Sequence, residues 1–68
     1  MFAIQDTKTG KWVYGTDFRY NPPHQRTSNN RVMIWDSVTD ALFEYKRRKC
    51  GKKYKVAELK PLEIERYV

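Results

Sequence analysis

Large apolar residues alternate with smaller or polar ones at Phe2, Ala3, Ile4 and Gln5. β-forming residues resume at Lys11, Trp12, Val13 and Tyr14, after Asp6, Thr7, Lys8, Thr9 and Gly10 have supplied turn chemistry. A period of two on either side of a turn predicts a hairpin over residues 1–15, with Gly10 taking the positive backbone angle. A regular pleat then points Phe2, Ile4 and Val13 into the core and leaves Trp12 and Tyr14 on the opposite face. The longest unbroken apolar run is Val32, Met33, Ile34, Trp35. Bounded by turn signals, it predicts a buried central strand over residues 31–35.

A helix follows. Ser37 with Asp40 three residues later forms a capping box, and Asp40 places negative charge in the first turn, where the helix dipole favours it. Val38, Ala41, Leu42 and Tyr45 recur at i, i+3, i+4 and i+7, one apolar stripe. Cations at Lys46, Arg47, Arg48 and Lys49, followed by Cys50 and Gly51, mark the stop. Residues 53–59 alternate weakly, as in a strand that ends or bulges at Pro61. Leu62, Ile64 and Val68 alternate with Glu63, Glu65 and Tyr67, which predicts a last short strand with its acidic side in water. The expected fold is α+β: a small antiparallel sheet of three to five strands with one helix packed on one face, in the order ββ(β)αβ(β).

Residues 16–31 have no sustained period and hold two prolines, three asparagines and three arginines. They read as a long connection, functional or flexible. Phe18 and Tyr20 argue against full disorder, and Asn21, Pro22 and Pro23 favour a local extended or turn conformation.

At 68 residues the chain is one domain with a small core, because a chain of this size buries only about 60% of its unfolded surface. A substrate domain beside a cofactor domain is excluded. The apolar runs fall far short of the ~20 residues of a membrane helix, and the N-terminal residues lack the basic start and apolar stretch of a signal peptide. The expected location is the cytosol, and no membrane contact is expected. A single cysteine, Cys50, cannot form an internal disulfide. A four-ligand zinc site would need His24, Cys50 and two carboxylates without any paired spacing, so neither a metal nor another cofactor is expected.

Charge sharpens this picture. The formal net charge is +6. Within residues 46–55 there are seven basic side chains (Lys46, Arg47, Arg48, Lys49, Lys52, Lys53, Lys55) and no acid. Two would suffice to cap a helix dipole; the remainder point to a surface that meets phosphates or an acidic protein. In the connection, Arg19, Arg26 and Arg31 are interleaved with Phe18, Tyr20 and His24, a composition that stacks on bases and grips phosphates. The structural alternative tucks Phe18 and Tyr20 into the core and pairs the arginines with Asp17 or Asp36. No helix-turn-helix, zinc finger or RNA-recognition motif is present, so nucleic-acid binding would be led by phosphates and sensitive to salt.

Catalytic candidates are sparse. His24 and Cys50 could form a base and nucleophile pair, with the adjacent lysines lowering the thiol pKa. Glu63 and Glu65 could form a carboxylate pair. A loop histidine in water, a cysteine filling a helix junction and a solvated strand face account for the same residues. No glycine-rich phosphate loop exists. The chain is therefore expected not to be an enzyme.

At Gly15, Thr16, Asp17, Phe18, Arg19, Tyr20, at Gln25, Arg26, Thr27, Ser28, and at Lys49, Cys50, Gly51, Lys52, the sequence resembles small proteins without assigned activity carried by bacteriophages and prophages of Gram-positive bacteria. That resemblance implies a non-enzymatic product that binds host nucleic-acid machinery in the host cytosol, a class that includes inhibitors of CRISPR nucleases. Many such inhibitors imitate DNA with acidic surfaces; a basic chain would need another mode.

The leading expectation is a binding module for nucleic acid or a nucleoprotein. Its candidate contacts are Arg19, Tyr20, His24, Arg26, Arg31, Lys46, Arg47, Arg48, Lys49, Lys52, Lys53 and Lys55. The alternative is an inhibitor directed at a host protein, anti-CRISPR-like without DNA mimicry. A homodimer could form through an edge strand at residues 62–68 or through the Trp12 and Tyr14 face.

Overall fold

Asp6 closes the first hairpin. In the computed structural model, which describes residues 1–60, its carboxylate accepts from the backbone N–H groups of Lys8 and Thr9 at 2.8 and 3.1 Å, and Gly10 follows at φ +76°. Short polar side chains satisfying a turn backbone, with glycine at the left-handed position, are what the composition of residues 6–10 supplies. The turn joins β1 (Phe2–Asp6) to β2 (Trp12–Asp17); β3 (His24–Ser28), α1 (Val38–Arg47), a 3₁₀ turn (Gly51–Lys53) and β4 (Tyr54–Glu58) follow. The four strands form one curled antiparallel sheet in the order β3-β2-β1-β4, so the fold is the expected small α+β one.

β1 and β2 pair at their turn end, where Gln5 faces Trp12, and then part. Residues 33–35 enter the opening. The Met33 N–H donates to the Val13 carbonyl at 3.2 Å, while Phe2 and Trp35 exchange two backbone bonds of 2.8 Å. The predicted central strand over 31–35 is thus an extended wedge with a single bridge at Trp35. Its unbroken apolar run has a physical reason: alternate residues serve opposite faces of the sheet. Val32 and Ile34 pack on a cluster of Ala3, Trp12 and Leu59, whereas Met33 and Trp35 pack on one of Ile4, Val13 and Cys50. Trp12, expected on an open face beside Tyr14, is consequently buried at 7% exposure, so its ring is core and not open surface. Phe2 is only half-buried, while Ile4 and Val13 are fully buried as expected.

Seven of the sixteen residues in the connection over 16–31 belong to the sheet. β2 runs on to Asp17, and β3 pairs with it from Trp12 opposite Ser28 to Asp17 opposite His24, with a bulge at Tyr14. β3 is an edge strand without an apolar residue, held by its ladder rather than by burial, so no alternation announced it.

α1 begins as expected, with the Ser37 hydroxyl accepting from the Asp40 N–H at 3.1 Å. The Asp40 carboxylate makes no return bond to the Ser37 amide, so the box is half-formed. The helix leans on β1 and β4, with Ala41 buried and Tyr45 packed on the core; Val38 and Leu42, assigned to the same stripe, are exposed, and so is Phe43. The ending also differs from expectation. Lys49 N–H donates to the Lys46 carbonyl and Cys50 N–H to the Tyr45 carbonyl, the paired bonds of a Schellman motif, and the left-handed residue is Lys49 at φ +51°. Gly51, expected to end the helix, instead opens the 3₁₀ turn at φ +71°. Among the described residues no helix is long and apolar enough to cross a membrane. The predicted last strand, with Glu63, Glu65 and the expected dimer edge, lies outside the described residues.

Candidate functional site

The two basic segments are brought together by neutral side chains. Thr16 on β2 and Gln25 on β3 are partners in the ladder and share a side of the sheet. Gln25 Nε2 donates to the Arg48 carbonyl at 2.7 Å, Arg48 Nη1 donates to Thr16 Oγ1 at 2.9 Å, and Thr16 Oγ1 donates to Gln25 Oε1 at 2.7 Å. Arg48 Nε also donates to Glu44 at 3.0 Å. This ring fixes the helix C-terminus against the second hairpin. Nothing in the sequence singles out Thr16 or Gln25, because a neutral hydrogen-bonding residue has no patterned neighbours to reveal it.

A cleft of about 420 Å³ opens beside this ring, lined by Pro22, Pro23, His24, Gln25, Lys49, Cys50, Lys53 and Tyr54. One wall is the turn into β3 and the other is the helix end with the start of β4. Tyr45 braces the second wall: its hydroxyl lies within hydrogen-bonding reach of the Gly51 and Tyr54 carbonyls. Among the described residues, none that lines the cleft is acidic. The Cys50 thiol, expected to be activated by nearby cations, is buried, and burial pushes its pKa up to about 11 despite the opposing charge of Arg48. It makes no hydrogen bond to His24. Among the described residues no three His, Cys, Asp or Glu side chains gather to hold a metal ion.

The arginines are largely occupied. Arg19 and Arg26 both pair with Asp17, at 2.6 and 3.4 Å, and the Arg19 hydrogen bonds hold that carboxyl well below the usual carboxylate range. Arg47 pairs with Glu44 at 2.8 Å and also lies over the Phe18 ring, 5.6 Å from its centroid. Hydrogen bonds from Arg47 and then Arg48 lower the Glu44 pKa. Arg31 sits over Tyr14 at 4.3 Å and does not line the cleft. Tyr20 stacks on His24, with centroids 3.9 Å apart and planes 2° apart. Lys55 alternates with Tyr54 and Val56, which pack on the helix side, so it faces away from the cleft. What remains at the helix end is a group of lysines, Lys46, Lys49, Lys52 and Lys53, all exposed and none ion-paired among the described residues.

The structure also exposes Phe43, a ring that the charge pattern did not flag, as well as Phe18, which that pattern had named with the loop arginines. Phe43 is 63% exposed and Phe18 52%, and Leu42, next to Phe43 in sequence, is open as well. A stripe assigned wholly to the core hid Leu42, and a search for cations passed over Phe43. Comparison with protein-family models, with curated proteins and with solved structures gives no match for this chain.

Proposed function

We propose that the protein is a non-catalytic binding module for nucleic acid or a nucleoprotein, and that the unpaired lysines around the cleft are its phosphate contacts. One observation carries the reading: Lys46, Lys49, Lys52 and Lys53 form no ion pair among the described residues, Glu44 and Asp17 are already neutralised by arginines, and the charge of Asp6, on which Lys53 also acts, is held mainly by the Lys8 and Thr9 N–H groups. A surface so arranged keeps its positive field for an external anion. The buried, protonated Cys50 supports a binding rather than a catalytic role. The accessory role in a phage that the sequence resemblance implies rests on that resemblance alone.

Fluorescence anisotropy with labelled DNA and RNA across a salt series tests the proposal. The logarithm of affinity should fall linearly with the logarithm of salt concentration. Changing the four lysines to glutamine should flatten that slope by about one for each lysine that meets a phosphate. Absence of binding at low salt would overturn the reading.

The exposed Phe18 and Phe43 rings favour a second reading, an inhibitor that docks on a host protein of nucleic-acid metabolism. Such a partner would stay bound after nuclease treatment and be lost with Phe43→Glu. Loss of the complex on nuclease treatment would exclude it.

A further inference from the structure

The cleft between the β3 turn and the helix end has a more specific use. We infer that it takes one unpaired nucleotide of a single strand, a proposal that rests on the nucleic-acid reading above and narrows it. Its volume, about 420 Å³, falls at the lower end of the range for small-ligand sites, large enough for one base with its sugar and phosphate. Its lining divides by chemistry. Pro22, Pro23, His24 and Tyr54 offer ring surfaces of the kind on which a base can lie, and Lys49 and Lys53 offer two cations with no acid among the described lining residues. A duplex keeps its bases stacked inside and can meet these lysines only through its outer phosphates; a single strand can place a base between the walls.

Lys49 supplies an independent observation. It occupies the left-handed position of the Schellman motif, where glycine is strongly preferred, and a glycine stands two residues further on. A non-glycine residue held at an unfavourable backbone angle at the edge of a cleft is a mark of functional sites. Here the strained residue is a lysine without an ion pair among the described residues, and it lines the cleft. Its charge at that place is what the strain retains.

The test compares the binding of a short single strand, as DNA and as RNA, with that of the matched duplex at one salt concentration, with free mononucleotide as a further arm. The single strand should bind about tenfold more tightly than the duplex, the worth of one stacked base. His24→Ala should remove most of that preference while leaving duplex affinity within about twofold, a change too small to reflect the loss of a stacked base, whereas Lys49→Gly gives up a phosphate contact open to both forms and should weaken both. Circular dichroism and urea unfolding of both variants exclude misfolding as the cause. Equal affinity for the two forms, or a His24→Ala variant that weakens both alike, would overturn the inference and leave the nucleic-acid reading standing. A mononucleotide that binds as tightly as the strand would overturn it in favour of a free-nucleotide site. No binding to any nucleic acid at low salt would overturn both.

Discussion

Gln25 Nε2 donates to the backbone carbonyl of Arg48 at 2.7 Å, so a residue of an edge strand satisfies one of the last carbonyls of the helix. Helix ends leave such groups without intrahelical partners, and here a side chain 23 positions away in sequence supplies the donor. The same bond joins the two chain segments that carry most of the positive charge.

Replacing Gln25 with alanine breaks this bond and also removes the acceptor for Thr16. The expected loss is about 1–2 kcal/mol. For a domain of this size that lowers the melting temperature by about 4–8 °C per kcal/mol. Urea unfolding and thermal melts of Gln25→Ala check this, and because the bond is neutral the loss should not change with salt. A variant as stable as the parent would show that the helix end is held by its own Schellman bonds alone.

Lys49 and Gly51 should respond in opposite directions to glycine content. Lys49 has φ +51°, so Lys49→Gly should stabilise the fold by about 1 kcal/mol through relief of the left-handed strain. Gly51 has φ +71° with open space around its Cβ direction, so Gly51→Ala should cost about 1 kcal/mol for backbone reasons alone. Chemical denaturation of the two single variants reads both signs in one experiment.

Much of the fold was legible because its signals are local. Gly10 in the hairpin turn, Ser37 at the helix start and the Tyr54–Glu58 strand each need only a few neighbouring residues to specify them. The departures share a cause, which is that tertiary partners decided the matter. β3 is recruited by β2 without any apolar residue of its own, and residues 33–35 look like a strand because both sheet faces use them. Of the candidate site, the excess of lysine at the helix end was visible. Its consequences were not, since pairing of Arg19 and Arg26 with Asp17, and of Arg47 and Arg48 with Glu44, depends on side-chain placement. The positive charge that reaches the surface unpaired is therefore mostly lysine, and the arginines serve the scaffold.

Acid should destabilise the protein in a defined window. Asp17, Glu44 and Asp6 all have lowered pKa values: Asp17 through hydrogen bonds from Arg19, Glu44 through those from Arg47, and Asp6 through the backbone N–H groups of Lys8 and Thr9. A carboxyl whose pKa is lower in the folded state than in the unfolded chain adds stability that is fully present above its unfolded value and lost as pH falls toward its folded value. Stability should therefore be level from neutral pH down to about 5 and fall steeply through about 4 and below. Urea midpoints measured from pH 7 to pH 2 check the profile. Asp6→Asn should remove the share of the slope that Asp6 contributes while keeping the turn, because the amide oxygen can accept from the same Lys8 and Thr9 N–H groups.

Cys50 should be inert in the native protein. Reaction with a disulfide reagent requires the thiolate, and burial raises the Cys50 pKa from 9.0 to about 11. That rise leaves about a hundredfold less thiolate at pH 8, before any steric exclusion by Ile4, Val13 and Tyr45 packed around it. Labelling at pH 8 should thus be at least about a hundredfold slower in buffer than in urea sufficient to unfold the chain, and its rate in buffer should rise with pH well past the ordinary thiol range. Adding modest urea should accelerate labelling in proportion to the unfolded fraction, because the opening that exposes Cys50 separates the helix end from the sheet. Native labelling within a few-fold of the unfolded rate would mean that the junction of α1 and β4 opens readily, and that the cleft beside it is not a fixed cavity.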